Sequence, residues 1–511
     1  MRKLALLIAA LIAAAAVAAG CGGDDGSSSS PLGNALGYLP ADTPFAAAIA
    51  TDREGDQLDD AGDLADELQG GQGQLDALLE QALGERAGDL EELEKALGNP
   101  FVVGSTDIQE FLDSSSGSDQ EFVAAIQSKD SDALGALVDG GRATEDGEVA
   151  GATVYVDDSG DVFAIDGDTL VVAGDRAQLE AALNTQEDGG GLSEDDFASA
   201  TEGVPSDALL RVYLNIGAML QASPDAESAL RSKWVAALRT GAVALAVDGD
   251  EVAIDVNVNT DPEGLTDADL PMAAGGDAPQ VLDRADAINL ALRDPSQLLA
   301  FAQATGKTVD PEGFTDFEQG KAQVERQLEI SLDDDLIAQL KGDLAVSIGN
   351  DGKFGARAQL EDPDAMRATL KKLEPVLPDI ARGAAGERVG FAAPKAGDDF
   401  YAVATSDGDQ IVFGVVGDVL VVANDPTLAG AVAQQGTEAV PGASGALVMQ
   451  TDPRPLLAGL LGQVSGFDVG PEGLADQLSS QLGDRPLGDL TGSFEVSTER
   501  LSGSFKLDTD D

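Results

Sequence analysis

Two stretches of the sequence, 250 residues apart, are nearly identical and constrain how the chain folds. Residues 167–175 read GDTLVVAGD and residues 417–425 read GDVLVVAND. Each stretch has a Gly-Asp turn, an apolar run typical of a buried strand, and an Asp placed to cap a following helix. The match predicts that one unit, spanning roughly half the chain, occurs twice. The match does not indicate any reaction that the protein could catalyse.

The length and the strand pattern predict the organisation of the chain. A chain of 511 residues is too long for one hydrophobic core. The strand patterns come in hairpin-connected clusters with polar alternation, which favours antiparallel sheets. We therefore expect an α+β fold made of two tandem copies of an antiparallel sheet-and-helix unit, with helices on one face of each sheet. The first copy is expected at residues 38–261, a Gly-, Asp- and Pro-rich linker at 262–279, and the second copy at 280–511.

The chain is strongly acidic, with 92 acidic against 30 basic residues and a formal charge of −62. A nucleic-acid partner is excluded on this ground, because a phosphate backbone requires basic side chains. The charge also argues against docking a broad face onto anionic lipid heads. Since the acids are spread along the whole chain, the composition is typical of a highly soluble protein.

The N-terminus has the pattern of an export signal. Arg2 and Lys3 precede an apolar run from Leu4 to Ala19, which is short for a membrane span. We predict a signal peptide at residues 1–20. The sequence Ala18-Ala19-Gly20-Cys21 resembles the lipobox of bacterial lipoproteins, although Ala18 stands where that family usually has Leu. The resemblance implies that Cys21 is lipidated and becomes the mature N-terminus.

Two further features agree with a lipid anchor at Cys21. It is the sole cysteine, so it has no disulfide partner within the chain. The residues after it, GGDDGSSSSPLG, are typical of a flexible tether, expected at residues 21–37. We therefore expect the protein on the outer face of the cell membrane, held by two acyl chains. An ordinary secretory signal with an incidental cysteine is the alternative.

Four stretches resemble a family of uncharacterised exported proteins that carry a domain of unknown function and are common in high-GC Gram-positive bacteria. The stretches are LPADTPF (39–45), LSEDDFASATEGVP (192–205), DDDLIAQLKGDLAVSIG (333–349) and VGDVLVVAND (416–425). The resemblance covers most of the mature chain, and the four stretches occur along it in the same order as in the family. The family has no assigned activity, so the resemblance implies no catalytic residue.

The residue types restrict the possible chemistry. The chain has no histidine, so a Ser-His-Asp triad, a Cys-His pair and a His-based zinc site are all impossible. Gly306-Lys307-Thr308 resembles the end of a phosphate loop, but Phe301 stands where the earlier Gly is required, which favours a helix end. A pair of carboxylates for glycoside hydrolysis stays open, since its members can lie far apart in sequence.

Calcium is the one metal that the composition could serve. The turns at residues 157–161 (DDSGD) and 248–250 (DGD) offer carboxylate oxygens. Neither has the spacing of an EF-hand loop, and Asp and Gly are also what hairpin turns require. We predict neither a metal site nor a cofactor. Asp-Pro pairs recur at Asp294, Asp310, Asp362, Asp425 and Asp452, where they are interpreted as helix caps.

Three hypotheses for function follow. The first is a non-enzymatic, membrane-anchored binding, scaffold or envelope-interaction module with an unknown protein or envelope partner. The second is a carrier of a hydrophobic, lipid-like ligand, because a curved sheet covered by helices can enclose an apolar cleft. The third is a carboxylate-based hydrolase. Since Val, Leu and Ala dominate the apolar positions, we expect compact cores without bound lipid and no identifiable ligand-binding or catalytic residue.

Overall fold

The structure is a computed structural model of the full chain. It describes residues 30–51, 57–58, 60–62, 64, 97–105, 122–140, 143–157, 160, 162–223, 226–284, 287–375, 390–392, 400–404, 410–453 and 488–509. The predicted signal peptide, Cys21 and the start of the tether lie outside these residues.

Ten strands lie in the described part of the first half of the chain. They are β1 (Phe45–Ile49), β2 (Leu97–Ser105), β3 (Val123–Ser128), β4 (Thr144–Val149), β5 (Ala152–Val156), β6 (Val162–Asp166), β7 (Thr169–Ala173), β8 (Leu210–Leu214), β9 (Leu238–Asp248) and β10 (Glu251–Thr260).

Twelve strands lie in the described part of the second half. They are β11 (Val281–Leu282), β12 (Ala287–Leu292), β13 (Leu344–Gly349), β14 (Phe354–Gln359), β15 (Gly390–Ala392), β16 (Phe400–Ala404), β17 (Gln410–Val416), β18 (Val419–Ala423), β19 (Thr437–Glu438), β20 (Leu447–Thr451), β21 (Leu490–Val496) and β22 (Arg500–Asp508).

Helices connect the strand clusters. They are α1 (Pro31–Leu36), α2 (Ser131–Gly140), α3 (Arg176–Asp188), α4 (Glu194–Ala200), α5 (Ile216–Ala222), α6 (Ala226–Ala229), α7 (Lys233–Ala237), α8 (Pro295–Val309), α9 (Pro311–Leu328), α10 (Leu332–Asp335), α11 (Pro363–Leu373) and α12 (Pro426–Gln434). Short 3-10 turns lie at Asp267–Asp269 and Ile337–Gln339.

Twenty strands form one antiparallel sheet, and β11 pairs with β19 in a second, two-stranded one. The strand order in the first half is β4–β5–β6–β7–β3–β2–β1–β8–β9–β10. In the second half it is β15–β16–β17–β18–β14–β13–β12–β20–β21–β22. Counted from the edge strands β4 and β15 to the central strands β10 and β22, the two halves therefore have the same strand order.

The two halves join through a single strand pair. Strands β10 and β22 pair antiparallel from Glu251 opposite Asp508 to Asn259 opposite Arg500. Lys506 Nζ and Glu251 Oε1 lie 2.7 Å apart across this pair. The region predicted as a linker packs against the junction, because Leu270 is fully buried beside Trp234 and Val496.

One face of the sheet, called face A, carries the side chains of Ala46 and Ala48. In the first half α1, α3 and α4 cover it, and Leu36, Leu179 and Phe197 are completely buried there. In the second half α12 covers the same face and packs on the strand β18 that contains the repeated apolar motif. Helices on face A thus seal both cores.

The opposite face, called face B, carries the side chains of Ala47 and Ile49. Helix α11 covers part of it in the second half, where Met366 and Leu370 pack against Tyr401. The α+β class and the antiparallel sheet are confirmed. The expectation of helices on one face alone is wrong, because α11 packs on face B, and β7 buries Val171 on face A and Val172 on face B.

The tether does not extend to residue 37. Pro31–Leu36 forms α1, whose N-cap Ser30 accepts a hydrogen bond from the amide of Gly33. Ala35 and Leu36 are buried in the core on face A. The Pro after Ser favours this helix start, and the apolar Ala-Leu pair fixes the helix to the sheet.

Candidate functional site

The predicted lipidation residue, Cys21, lies outside the described residues. None of the helices that the structure describes is long and apolar enough to span a bilayer.

The Asp-rich turns are accounted for by local structure where they are described. Residues 248–250 form the hairpin between β9 and β10, with Gly249 at a φ of 55°. The amide of Gly249 donates to Asp60 Oδ2 at 3.2 Å, so a neighbouring carboxylate binds the turn itself. In the turn at 157–161, residues 158, 159 and 161 lie outside the described residues. Across the described part of the chain no cluster of three His, Cys, Asp or Glu side chains could hold a metal.

The Asp-Pro pairs act mostly as predicted. Asp310, Asp362 and Asp425 each accept hydrogen bonds from amides in the first turn of α9, α11 and α12. Asp294 precedes α8 but makes no side-chain cap, since its backbone is left-handed with φ 45°. The helix predicted after Asp452 falls outside the described residues beyond residue 453. Residues 306–308 lie in the last turn of α8 and form no phosphate loop.

A half-exposed apolar surface occupies the middle of face B. Cross-strand partners share a face, so the register aligns apolar side chains in two rows across β10, β22, β21, β20, β12 and β13. We call this surface the central apolar trough. Its floor consists of Ile254, Phe505, Met449, Leu290 and Val346 in one row and Phe494, Leu447, Leu292 and Leu344 in the next.

The floor of the trough is apolar and incompletely covered. Its nine side chains are half-buried or exposed, and Ile254 is 42% exposed. Phe494 and Phe505 meet edge to face, with ring centroids 5.3 Å apart. Measured across the strands, the floor spans about 24 Å, because six strands are separated by five gaps of about 4.8 Å each. Exposed apolar surface of this extent is typical of a binding surface.

Helix α8 forms one wall of the trough. Its first residue, Pro295, lies against Leu340 and Leu344 at the β13 end. Phe301 packs into the cluster around Trp234 and Val496 at the β22 end. The helix therefore crosses face B above the central strands.

The solvent exposure of Leu298 indicates open space between α8 and the sheet. It lies three residues after Pro295 and three before Phe301, which places it between these two contacts on the side of the helix that faces the sheet. Yet Leu298 is 41% exposed. The helix therefore touches the sheet at both ends of this segment and leaves an open apolar gap between them.

A small cavity continues the gap under the start of α8. It has a volume of about 90 Å³ and is lined by Pro295, Leu340, Leu344, Ala356, Ala358, Leu420 and Val422. Every one of these side chains is apolar, so the cavity offers no hydrogen-bonding group to a ligand. Alone it is smaller than the ~300 Å³ typical of ligand pockets.

The charged groups lie at the margin of the trough. Asp343 immediately precedes Leu344, and burial raises the pKa of its carboxyl, with Arg293 acting in the opposite direction. On α9, Lys321 pairs with Asp333 of α10, and this hydrogen bond raises the pKa of the lysine and lowers that of the aspartate. Neither pair reaches the floor, so the trough itself is uncharged.

Sequence reasoning did not identify the trough. The strands that build its floor come from β10 in the first half and from β12, β13 and β20–β22 in the second, and the pairing of β10 with β22 leaves no local sequence signal. The glycines at 492 and 503, opposite the phenylalanines, were a usable signal, because glycine inside a strand marks a close approach.

Comparison with known families identifies the chain. Residues 3–380 match the family described as "Protein of unknown function (DUF3352)". The chain belongs to the DUF3352 family. The match extends from the first half of the chain past the predicted linker and includes β13, β14 and α11 of the second half. The expected resemblance to an uncharacterised family is confirmed.

No curated protein matches this DUF3352 sequence. Among solved structures, crystal form IV of TP0453 is similar at 10% identity with a TM-score of 0.26, covering 46% of this chain and 81% of that one. Crystal form III of TP0453 gives 9% identity and a TM-score of 0.26, covering 45% and 82%. Similarity this low carries no conclusion about fold or function.

Proposed function

We propose that the protein is a lipid-anchored extracytoplasmic lipoprotein that acts as a non-enzymatic binding module on the outer face of the cell membrane. The signal-like N-terminus and Cys21 support the anchor. The observation that carries the binding role is the central apolar trough, a half-exposed uncharged floor beneath α8.

A binding role fits the chemistry of the trough better than catalysis. Its floor has no group that could donate a proton or act as a nucleophile, since its nine side chains are hydrocarbon or thioether. The absence of histidine removes the common triads. A carboxylate-based hydrolase is the least supported alternative, because no described acid lies on the floor.

A carrier of a hydrophobic ligand is the second candidate. The exposure of Leu298 above the floor and the apolar cavity beside Pro295 favour it. A scaffold that binds a protein partner would use the same surface, so the two candidates differ in the ligand and not in the site.

We also infer that the two halves are copies of one ancestral unit. The motifs GDTLVVAGD and GDVLVVAND lead into equivalent strands, since β7 lies between β3 and β6 while β18 lies between β14 and β17. Pairing of their last strands, β10 and β22, then relates the copies by a pseudo-twofold arrangement. In this proposal the trough forms largely from the second copy and is completed by the first.

Replacing the lipidation residue tests the anchor. The Cys21→Ser protein is expected in the medium and folded, because the anchor precedes the first helix, while the matched Ser27→Ala protein stays in the membrane fraction. Cell fractionation followed by a high-salt wash measures this. If Cys21→Ser protein remains in the washed membranes, the lipoprotein assignment is wrong.

A further inference from the structure

We propose that the central apolar trough binds a single long hydrocarbon chain, such as the acyl chain of one lipid, in the gap between α8 and the sheet. The proposal rests on the binding role proposed above and names the chemical class of the ligand. It sets aside the expectation of compact cores without bound lipid, because Leu298 lies over an open gap.

The backbone around the trough argues against a peptide that binds in an extended conformation. Strands β22, β21, β20 and β12 each pair with neighbours on both sides, so no edge is open to an added strand. A peptide lying across these strands would bury its own amides against side chains that cannot hydrogen-bond, which is strongly unfavourable. A hydrocarbon chain has no such groups to satisfy.

The shape of the site also fits a chain. The floor runs across six strands, and α8 limits the space over it on one side. At the β13 end the gap continues into the cavity lined by Pro295 and Leu344. A terminal methyl group would lie in this cavity, and the polar end of the ligand would lie towards the open side near Ile254.

The side chains that line the gap can adapt to a flexible ligand. Met449 has an unbranched side chain that tolerates different packing partners. A Cβ atom at Gly492 would lie 2.7 Å from Cδ1 of Phe505, so this ring lies low against the sheet in the absence of a side chain at 492. The two glycines of the floor thereby leave room above the aromatic rings.

Binding of an uncharged fluorescent chain tests the proposal. The probe is methyl cis-parinarate, chosen as an ester because a fatty-acid anion would be repelled by a net charge of −62. Full-length Cys21→Ser protein is titrated with the probe, so that no anchor lipid competes. We expect saturable binding of one probe per chain.

Two substitutions in α8 locate the binding. Leu298→Asp places a carboxylate in the gap and is expected to weaken probe binding at least tenfold. Leu299 has a similar exposure, 37% against 41%, but shares its side of the helix with Gly306, which packs on Phe314 of α9. Leu299→Asp is therefore the matched control and is expected to change binding less than twofold. Both positions are exposed, so both variants are expected to fold.

Three results would overturn the proposal. The first is no binding by the Cys21→Ser protein, and the second is equal binding by the two α8 variants. The third is Leu298-dependent flotation with neutral phosphatidylcholine vesicles, or Leu298-dependent dimerisation in sedimentation, without binding of the monomeric probe. None of these results affects the anchor, which the fractionation of Cys21→Ser tests separately.

Discussion

The ring of Phe494 in β21 lies against Gly503, its direct cross-strand partner in β22. A Cβ atom at Gly503 would come 2.4 Å from Cδ1 of this ring. The same relationship occurs between Phe505 and Gly492 two pairs further along. Each phenylalanine thus occupies the space of a missing side chain on the neighbouring strand, which keeps the floor of the central apolar trough low.

This contact predicts the effect of adding a methyl group at Gly503. The Gly503→Ala protein must displace the Phe494 ring, and overpacking of this kind costs about 1–3 kcal/mol. Urea unfolding measures the loss. The control is Gly390→Ala at the edge strand β15, where the nearest atom to a Cβ is the carbonyl oxygen of Ala404 at 3.9 Å. Equal stability of Gly503→Ala and wild type would contradict the contact.

The environment of Ser504 predicts that removing its hydroxyl does not destabilise the protein. Its Oγ is buried and has no hydrogen-bond partner within the described structure. Ser504→Ala removes an unsatisfied hydroxyl, so the free energy of unfolding should stay the same or rise by up to about 1 kcal/mol. The control Ser347→Ala should lower it by about 1 kcal/mol, because Ser347 Oγ accepts a hydrogen bond from Arg284 at 3.3 Å. A clear loss of stability in Ser504→Ala would show that the hydroxyl is bonded.

Tyr38 is expected to stabilise the attachment of the N-terminal helix. It is 1% exposed, and its hydroxyl donates to Asp166 Oδ2 at 2.9 Å. Tyr38→Phe should lower the free energy of unfolding by about 1–2 kcal/mol, since the bond is to a charged acceptor. Tyr155→Phe is the control, because Tyr155 stacks on Phe163 and its hydroxyl makes no hydrogen bond to the residues that the structure describes. An unchanged midpoint in Tyr38→Phe would contradict this role.

The same tyrosine predicts a dependence on alkaline pH. Burial, followed by the charge of Asp166, raises the pKa of Tyr38 far above its usual value of 10.0. The folded state therefore keeps a proton that the unfolded state loses above about pH 10, so this stabilisation is complete below pH 10 and is lost as pH rises further. Unfolding measured between pH 9 and about 11 should fall less steeply for Tyr38→Phe than for wild type. Parallel curves would rule out the contribution of Tyr38.

The helix cap at Asp362 provides a fifth prediction. Its carboxylate accepts hydrogen bonds from the amides of Asp364 and Ala365, at 3.0 and 2.9 Å. Asp362→Ala should cost about 1 kcal/mol, the usual effect of losing an N-cap. Asp364→Ala should cost under about 0.5 kcal/mol, because its pair with Arg367 is exposed. Thermal unfolding of both proteins distinguishes the cap from the ion pair.

Local sequence signals predicted many of the elements. The sequence predicts a strand at Ala287–Leu292 and a helix capped by Ser193, and the structure has both. It also predicts one helix from Pro224 to Thr240, with Pro in its first turn and Trp234 on its apolar face, and this prediction is wrong. In the described residues the chain forms the short helices α6 and α7, and β9 begins at Leu238, because Leu238 pairs with Thr260 after a bulge. Tertiary pairing outweighed helical propensity there.

The candidate site was less predictable because it depends on long-range register. The alternation in β10 predicted a half-buried strand at residues 252–258, but not that β22 would pair with it. Likewise the exposure of Leu298 follows from where α8 crosses the sheet, and no pattern within α8 encodes that crossing. The face on which a side chain lies and the strand with which its own strand pairs are set only by the assembled sheet.

The most direct test of the account is the content of the trough in protein exported by its own cell. Native mass spectrometry of the Cys21→Ser protein, purified gently from the medium, measures any ligand retained. We predict one long-chain hydrocarbon ligand per protein, retained by Leu299→Asp and absent from Leu298→Asp. Protein that carries no such ligand, or a ligand that Leu298→Asp retains equally, would contradict the central claim.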